Sequence, residues 1–306
     1  ARQYVSAAGP WVDRLRTKDQ SMNNKHLHLT KGVHVVFSRK RFPLTQSVYF
    51  DVPDGRMIFA IPRGRATYVG TTDTNYNGDL NRVVATKADA TYLLDAVNNM
   101  FPSLALTEED IESNWAGLRP LIHEDGKDPS ELSRKDEIFE SQTGLISIAG
   151  GKLTGYRKMA QRVIDKVLEQ LPKKKKAELA KSFTEQIPLT SDPLANTKEV
   201  EQYTETVAQK LSEKELSDPY QAWYLATTYG KQANMIIDKI DYFLDDLVED
   251  RLIRAELWYS VHREMCNSLA DFFVRRTGRL YFDIASVHNH RHRILEDLIK
   301  YLGFSL

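Results

Sequence analysis

A pair of glycines between a strand pattern and a helix pattern offers the clearest chemistry in this sequence. The apolar run 145–149 is followed by Gly150 and Gly151, and then by apolar positions at helical spacing. Such a turn directs free backbone N–H groups and the positive end of a helix dipole to one spot, which suits an anion. Lys152 and Thr154 add a cation and a hydroxyl beside it. Plain turn geometry is the alternative for the glycines taken alone.

Three further side chains have chemistry that a small phosphate ester would need. His34 is the type best matched to proton transfer near neutral pH, although a histidine between apolar neighbours more often has a structural role. Arg119 and Arg134 carry planar guanidinium forks that suit a phosphate dianion. A surface ion pair is the alternative for either arginine.

Two other features invite a site but favour a structural interpretation. His288, His290 and His292 alternate, and alternation faces one side of a strand, whereas this stretch predicts a helix. We therefore interpret them as a solvated helix face and predict no metal site. Cys266 lies among apolar positions and is interpreted as a core residue.

The elements that must position these residues differ along the chain. Twelve of the fifteen glycines precede residue 172, where short β-branched and aromatic runs predict an antiparallel sheet. These runs are 33–37, 48–52, 57–62 and 67–71. Asp54-Gly55 predicts a hairpin between two of them. A helix is expected to begin at Thr86, with Asp89 completing its cap, and to end at Pro102.

Beyond Pro193 the pattern is helical almost to the end. The predicted helices are 197–215, 219–229, 231–249, 251–276 and 285–302. We therefore divide the chain into residues 1–171, a linker at 172–195 and a helical domain at 196–306. Thr72 and Asp73, after one of the strand runs, are expected to form a turn rather than to act in catalysis.

Charge and cysteine content exclude several classes of protein. Of the 306 residues, 42 are lysine or arginine and 42 are aspartate or glutamate, so no global field draws the chain to nucleic acid. One cysteine excludes an internal disulfide framework and fits a reducing compartment, which makes the cytoplasm the expected location. No apolar run reaches the roughly 18 to 20 residues that cross a bilayer.

The segment 147–160, which reads SIAGGKLTGYRKMA, resembles the closing flavin-binding segment of FAD-dependent glycerol-3-phosphate dehydrogenases. Further segments resemble that family in the same order along the chain. They are 7–13, 31–36, 61–62, 70–74, 117–120, 133–134 and 264–277. The resemblance therefore covers nearly the whole chain.

This resemblance implies a function and a set of site residues. The family oxidises sn-glycerol 3-phosphate to dihydroxyacetone phosphate with FAD and passes the electrons to quinone, which allows a peripheral contact with the cell membrane. His34 is then the candidate base, Arg119 and Arg134 hold the substrate phosphate, and Lys152 stabilises charge near the flavin or the substrate oxygen. The implied cofactor-binding residues are Ala8, Gly9, Trp11, Gly150, Gly151, Lys152, Leu153 and Thr154.

A FAD enzyme of this kind also needs a strand, G-x-G-x-x-G and a helix to hold the pyrophosphate, and this motif does not occur in the sequence. By family comparison we expect a truncated fragment: an α+β fold with an antiparallel-sheet substrate domain, a remnant of the FAD-binding α/β domain, and an all-α C-terminal domain. The fragment alone is expected to bind FAD weakly or not at all. Apolar surface exposed by the truncation would favour a homo-oligomer.

Three alternatives to this function remain open at this point. One is a glycerol-3-phosphate oxidase that uses oxygen, and another is a related flavin oxidase of a different small hydroxy or amino acid. The third is a binding module in which the helical region docks a partner or a membrane surface. Two arginines favour a phosphate dianion over a carboxylate.

Overall fold

The computed structural model describes residues 3–126, 135–172, 179, 181–190, 192–244 and 246–303. The chain forms two compact units, each built from three segments. The first consists of Ala1–His34, Gly70–Leu93 and Trp115–Ile187, and the second of Val35–Val69, Leu94–Asn114 and Pro188–Leu306.

The first part of the chain contains runs of strands separated by single helices, and helices alone follow. The strands are β1 (Tyr4–Ser6), β2 (Lys25–Ser38), β3 (Val48–Asp51), β4 (Met57–Arg63), β5 (Ala66–Gly70), β6 (Thr74–Asn75), β7 (Ile111–Glu124), β8 (Asp136–Glu140) and β9 (Leu145–Gly150). The helices are α1 (Val12–Lys18), α2 (Lys87–Met100), α3 (Tyr156–Glu169), α4 (Thr197–Ser212), α5 (Pro219–Tyr229), α6 (Ala233–Ile240), α7 (Val248–Arg263), α8 (Arg279–Phe282) and α9 (Ile284–Leu302). The predicted α+β class with a helical C-terminal region is confirmed.

A three-stranded sheet in the first unit has the order β1-β9-β8. β1 runs parallel to β9, with Ser6 opposite Ser147, and β8 runs antiparallel to β9, with Ile138 opposite Ile148. Val12 of α1 packs with Ala149 of β9 in a small apolar core. This core fixes the start of α1 against the strand that ends at the glycine pair.

The second sheet has the order β3-β4-β5-β2-β6, and β7 pairs with β2. The expected hairpin is confirmed, because β3 and β4 pair antiparallel on either side of Asp54-Gly55. Gly55 has φ +81°, a conformation that glycine adopts without steric cost. The four predicted strand runs all lie within β2, β3, β4 and β5, apart from one residue at the end of two of them.

The predicted cap of α2 is confirmed. The Thr86 N–H donates to the Asp89 carboxylate at 2.8 Å, and the Asp89 N–H donates to the Thr86 hydroxyl at 3.3 Å. Two of the first free N–H groups of the helix region are satisfied in this way.

The helical core of the second unit is apolar and closely packed around α4 to α7. The predicted helix 219–229 is confirmed, whereas the continuous helix 251–276 is wrong. α7 ends at Arg263, because Met265 adopts φ +54° and the Cys266 N–H turns back to the Ser260 carbonyl at 3.0 Å. Met265 takes the left-handed conformation just after the helix end, a position at which glycine is the usual residue.

The predicted helix 231–249 is also interrupted. A 3-10 turn at Gly230–Gln232 precedes α6, a second one at Asp241–Phe243 follows it, and α7 begins only at Val248. A π-helix occupies Asp271–Arg276. Among the described helices, none combines the length and the apolar composition needed to span a bilayer.

Candidate active site

The two predicted cofactor segments lie at one edge of the three-stranded sheet. β1 leads into the turn Gly9–Trp11, and β9 ends at Gly150. Because β1 and β9 are parallel neighbours, their carboxyl ends lie side by side. The structure therefore brings Ala8, Gly9 and Trp11 to the same edge as the glycine pair.

Both helical starts at this edge lack a side-chain cap. Neither Ala8, which precedes the turn Gly9–Trp11, nor Gly155, the N-cap residue of α3, makes a side-chain cap. Pro10 has no N–H, and the Trp11 and Gly155 N–H groups donate to the carbonyls of Ala8 and Lys152. The feature that favours an anion here is the positive end of the α3 dipole. The edge is thus suited to the phosphate or flavin groups of a dinucleotide.

Gly150 and Gly151 are required by the backbone at this edge. Their φ angles are +73° and +80°, which side chains rarely tolerate. A Cβ on Gly150 would lie 2.5 Å from the Lys135 carbonyl oxygen, and a Cβ on Gly151 would lie 2.8 Å from Cε of Met159. A side chain at either position would therefore displace the backbone or the packing of α3.

The side chains that follow the glycine pair are open to solvent. Lys152 and Thr154 are exposed, and Leu153 is 88% exposed. Tyr156 of α3 is also more than half exposed.

His34 lies on β2 between two buried valines, and its ring is held on one side by an aromatic residue. The imidazole stacks on the indole of Trp115 from β7, with ring centroids 4.7 Å apart and an angle of 12° between the planes. On another side it lies against Gly70, where an added Cβ would overlap the ring. The ring orientation is therefore set by the sheet.

Burial of His34, assisted by the nearby positive charge of Arg119, lowers its pKa from 6.5 to about 4. At pH 7 the imidazole is therefore neutral, which is the protonation state that a proton acceptor needs. The nearby guanidinium of Arg119 adds the positive charge that an anionic substrate requires.

Arg119 is held by the segment that follows β5. Nη2 donates to the Thr71 hydroxyl at 2.9 Å, and Nη1 donates to the Thr72 carbonyl at 3.2 Å and lies 3.4 Å from Asp73. A guanidinium has five N–H groups. Within the described part of the chain, these contacts use three of the five N–H groups of Arg119.

The backbone of Gly32 passes directly beside this guanidinium. A Cβ at Gly32 would lie 2.5 Å from Nη1 and 2.6 Å from Nη2 of Arg119. Glycine at position 32 is therefore a condition for the position of Arg119. The order Lys31-Gly32-Val33-His34 thus contains both the base and the residue that makes room for the phosphate ligand.

Thr72 and Lys31 stabilise the backbone next to His34 and Arg119. The Thr72 hydroxyl accepts from the Val33 N–H at 3.0 Å and donates to the Lys31 carbonyl at 3.2 Å, which agrees with the structural role expected for it. Lys31 pairs with buried Asp89 at 2.6 Å. Burial raises the pKa of Asp89, but hydrogen bonds from Lys31 and Thr86 outweigh it and lower the pKa overall.

The structure thus brings His34 and Arg119 together, and it collects the cofactor segments at the sheet edge. β7 connects the two groups, since Ile122 packs against Val12 and Ala149 at that edge. Arg134 lies outside the described residues. Trp115 is a site residue that the sequence did not indicate, because its contact with His34 depends on the pairing of β2 with β7.

Residues singled out in the second unit do not join this site. Cys266 is buried as predicted, although it lies between helices rather than within one, and burial raises the pKa of its thiol. His290 of α9 contacts Asp250 at 2.7 Å. A cavity of about 720 Å³ in this unit is lined by residues such as Arg63, Tyr220 and Arg279, and none of the predicted site residues lines it.

Comparisons with known proteins agree with this geometry. Residues 1–157 match the family model for FAD dependent oxidoreductases, and residues 141–306 match the model for the C-terminal domain of alpha-glycerophosphate oxidase. An aerobic glycerol-3-phosphate dehydrogenase of Bacillus subtilis (strain 168) is 47% identical over 304 residues, which are 97% of this chain and 54% of that protein. One from Staphylococcus haemolyticus (strain JCSC1435) is 45% identical and covers all of this chain and 55% of its own length.

A solved structure shows the same fold. The glycerol-3-phosphate dehydrogenase from Bacillus halodurans complexed with FAD has a TM-score of 0.83 and 42% identity, over all of this chain and 59% of that one. The chain therefore spans about half the length of the curated relatives it matches. The resemblance found in the sequence is confirmed, and the chain belongs to the FAD dependent oxidoreductase family, with its second half in the family of the alpha-glycerophosphate oxidase C-terminal domain.

Proposed function

We propose that the protein to which this chain belongs is a FAD-dependent glycerol-3-phosphate dehydrogenase that converts sn-glycerol 3-phosphate to dihydroxyacetone phosphate. One observation carries the proposal: a neutral, half-buried His34 lies beside the positive charge of Arg119, whose guanidinium is held by the segment that follows β5. The names of the relatives, aerobic glycerol-3-phosphate dehydrogenases, support the same substrate.

The sheet edge fits part of a FAD site. The residues that would hold the cofactor are Ala8, Gly9, Trp11, Gly150, Gly151, Lys152, Leu153 and Thr154. The positive end of the α3 dipole, after the glycine pair, is its anion-binding element. When bound, FAD supplies a two-electron acceptor for the hydride that leaves C2 of the substrate.

His34 is the proposed base. Oxidation of a secondary alcohol requires removal of the hydroxyl proton, and a ring nitrogen of neutral His34 accepts it. Stacking on Trp115 and contact with Gly70 hold the ring in place for this transfer. Positioned proton transfer of this kind contributes roughly 10²- to 10⁴-fold to the rate.

Arg119 is the proposed phosphate ligand, with Arg134 as its partner. Charge-assisted hydrogen bonds from a guanidinium to phosphate are worth about 1.5 to 3 kcal/mol each. Binding through the phosphate orients C2 toward the base. Lys152 is proposed to stabilise negative charge that develops on the flavin or the substrate oxygen.

Quinone is the proposed electron acceptor, with a cytoplasmic location and a peripheral contact with the membrane. The family description of residues 141–306 names an oxidase, which keeps oxygen as the second candidate. Measuring oxygen consumption against reduction of a soluble quinone analogue in the flavin-loaded protein distinguishes the two acceptors.

The test of the function uses the flavin-loaded protein that contains this chain. It should oxidise sn-glycerol 3-phosphate far faster than glycerol at equal concentration, and His34→Gln should lower kcat by about 10²-fold or more. His288→Gln, on an exposed face of α9, is the matched control. Equal rates with glycerol would discard the phosphate ligands, and full activity of His34→Gln would discard the base.

A further inference from the structure

Two histidines and a carboxylate converge on the first unit, apart from the residues of the proposed active site. His26 lies near the start of β2, His123 near the end of β7, and Asp125 directly after β7. One ligand atom from each lies within 4.8 Å of the other two. We propose that His26, His123 and Asp125 bind a divalent first-row metal ion, with Zn²⁺ as the preferred ion.

The donor set suits this class of ion. Imidazole and carboxylate bind Zn²⁺ with distances of about 2.0 to 2.2 Å, usually in a tetrahedron. Two ligands on arms of about 2.0 Å are separated by roughly 3.3 Å along the tetrahedron edge. The Nδ1 atom of His26 and Oδ1 of Asp125 are 3.3 Å apart.

The third ligand lies close to the other two. The rings of His26 and His123 have centroids 5.0 Å apart and planes at 55°. The ligand atoms of all three residues lie within 4.8 Å of one another, which is longer than the roughly 3.3 Å edge of the tetrahedron. Metal binding therefore requires the three side chains to close in on the ion.

The scaffold beneath the three residues is fixed. β7 pairs with β2, and the Asp125 N–H donates to the Asn24 carbonyl at 2.8 Å. Lys25, the nearest cation along β2, is neutralised by Glu137 at 2.8 Å and does not compete for Asp125. The side chains of His26 and Asp125 are 40% and 63% exposed, so an ion enters from solvent and retains water as a fourth ligand.

A simple ion pair between His26 and Asp125 is the competing explanation. The two explanations differ in their response to added metal. A metal site saturates at one Zn²⁺ per chain and the bound ion stabilises the folded state, whereas an ion pair produces neither effect.

The bound ion would link β2 to β7, the strand that carries Trp115 and Arg119. A ligand that binds only the folded state raises the midpoint of thermal unfolding. At a metal concentration about 100 times the Kd, we expect a rise of roughly 5 °C. After removal of the metal with a chelator, the unfolding midpoint should return to its lower value and the protein should stay folded.

The test uses the full chain, stripped with a chelator and titrated separately with ZnCl₂ and CoCl₂. Calorimetry should give one Zn²⁺ per chain, and Co²⁺ should produce the visible d–d bands of a low-coordinate nitrogen and oxygen site. His123→Ala and Asp125→Asn should each weaken Zn²⁺ binding at least tenfold. Circular dichroism in chelator checks that both variants remain folded.

Two control variants separate this site from other histidines. His28→Ala changes a histidine on the same strand that contacts Asn75, and His292→Ala changes the exposed face of α9. Both should bind Zn²⁺ as the parent chain does. Absence of a one-to-one Zn²⁺ complex, or binding that survives His123→Ala and Asp125→Asn, would overturn the proposal.

Discussion

The imidazole of His34 lies flat against the indole of Trp115, with ring centroids 4.7 Å apart and planes 12° from parallel. The stack shields one face of the imidazole from water, and desolvation is the main reason that its pKa is low. Trp115 thus contributes both to the orientation of the proposed base, together with Gly70, and to the burial that lowers its pKa.

Replacement of this aromatic residue should therefore change the titration of His34. In Trp115→Leu, water reaches the ring, and we expect the pKa to rise from about 4 toward 6.5. Proton NMR titration of the His34 ring signals measures the change directly. Trp223→Leu, an exposed tryptophan of α5, is the control and should leave the His34 pKa unchanged. An unchanged pKa in Trp115→Leu would mean that Trp115 does not cause the low pKa of His34, and it would leave Arg119 as the main cause.

The same low pKa predicts how stability depends on pH. Between about pH 6.5 and pH 4 the unfolded chain binds a proton at His34 that the folded chain does not bind. The free energy of unfolding should therefore rise with pH across this window because of His34. Urea unfolding at several pH values measures the slope. His34→Gln should reduce that slope, and an identical slope in both proteins would contradict the titration assigned to His34.

How much of this site the sequence could predict depends on how far apart its parts lie along the chain. The strand, glycine pair and helix at 145–169 were predictable, since they are consecutive and glycine marks the turn. The stack of His34 on Trp115 was not, because it depends on the pairing of β2 with β7. For the same reason, the sequence did not predict the cluster of His26, His123 and Asp125.

The helical region shows a different limit of sequence patterns. Apolar spacing continues through the end of α7 and the π-helix, so it predicted one helix over 251–276. The break depends on Met265 at φ +54°, where glycine would have been an evident signal. The bond from Cys266 to Ser260 satisfies the helix end without that signal.

Gly32→Ala should impair the phosphate ligand without affecting the base. The added methyl group would lie within 2.7 Å of three atoms of the Arg119 guanidinium, and this flexible group must move away. Loss of one charge-assisted hydrogen bond raises KM for sn-glycerol 3-phosphate roughly tenfold or more. Steady-state kinetics of the flavin-loaded protein should show the change in KM with a smaller change in kcat.

Gly117→Ala is the matched control for this substitution. Gly117 lies on β7 two residues before Arg119, and nothing lies within 4 Å of an added Cβ. Its KM should remain at the parent value. A parent-like KM in Gly32→Ala would mean that Arg119 does not bind the phosphate.

Lys31→Met should destabilise the fold beneath the site. It leaves Asp89 buried without its cation, and breaking a buried ion pair costs about 3 kcal/mol. Denaturant unfolding at pH 7 measures this loss of stability. Lys40→Met, which changes an exposed lysine just after β2, is the control and should leave the stability unchanged. A loss below about 1 kcal/mol would indicate that the pair contributes little.

The same pair predicts acid sensitivity in the parent chain. The folded state lowers the pKa of Asp89, so its contribution to stability is present above the ordinary value of 3.8 and declines as the pH falls below it. Lys31→Met should remove much of this acid-dependent component. Equal acid dependence in both proteins would assign the component to other carboxylates.

Gly151→Ala tests the sheet edge as the cofactor site. The substitution places a methyl group at φ +80° and within 3.0 Å of Met159 and Asp136, so the backbone N–H groups before α3 must shift. Gly144→Ala is matched in strain, since φ is +87° there, but an added Cβ meets nothing within 4 Å. Both variants should lose about 1 to 2 kcal/mol of stability from the left-handed conformation.

Only Gly151→Ala should also weaken FAD binding, measured as the flavin content and flavin fluorescence of the protein that contains this chain. If the two variants retain equal flavin, the glycine pair serves the turn alone and the cofactor contacts lie elsewhere.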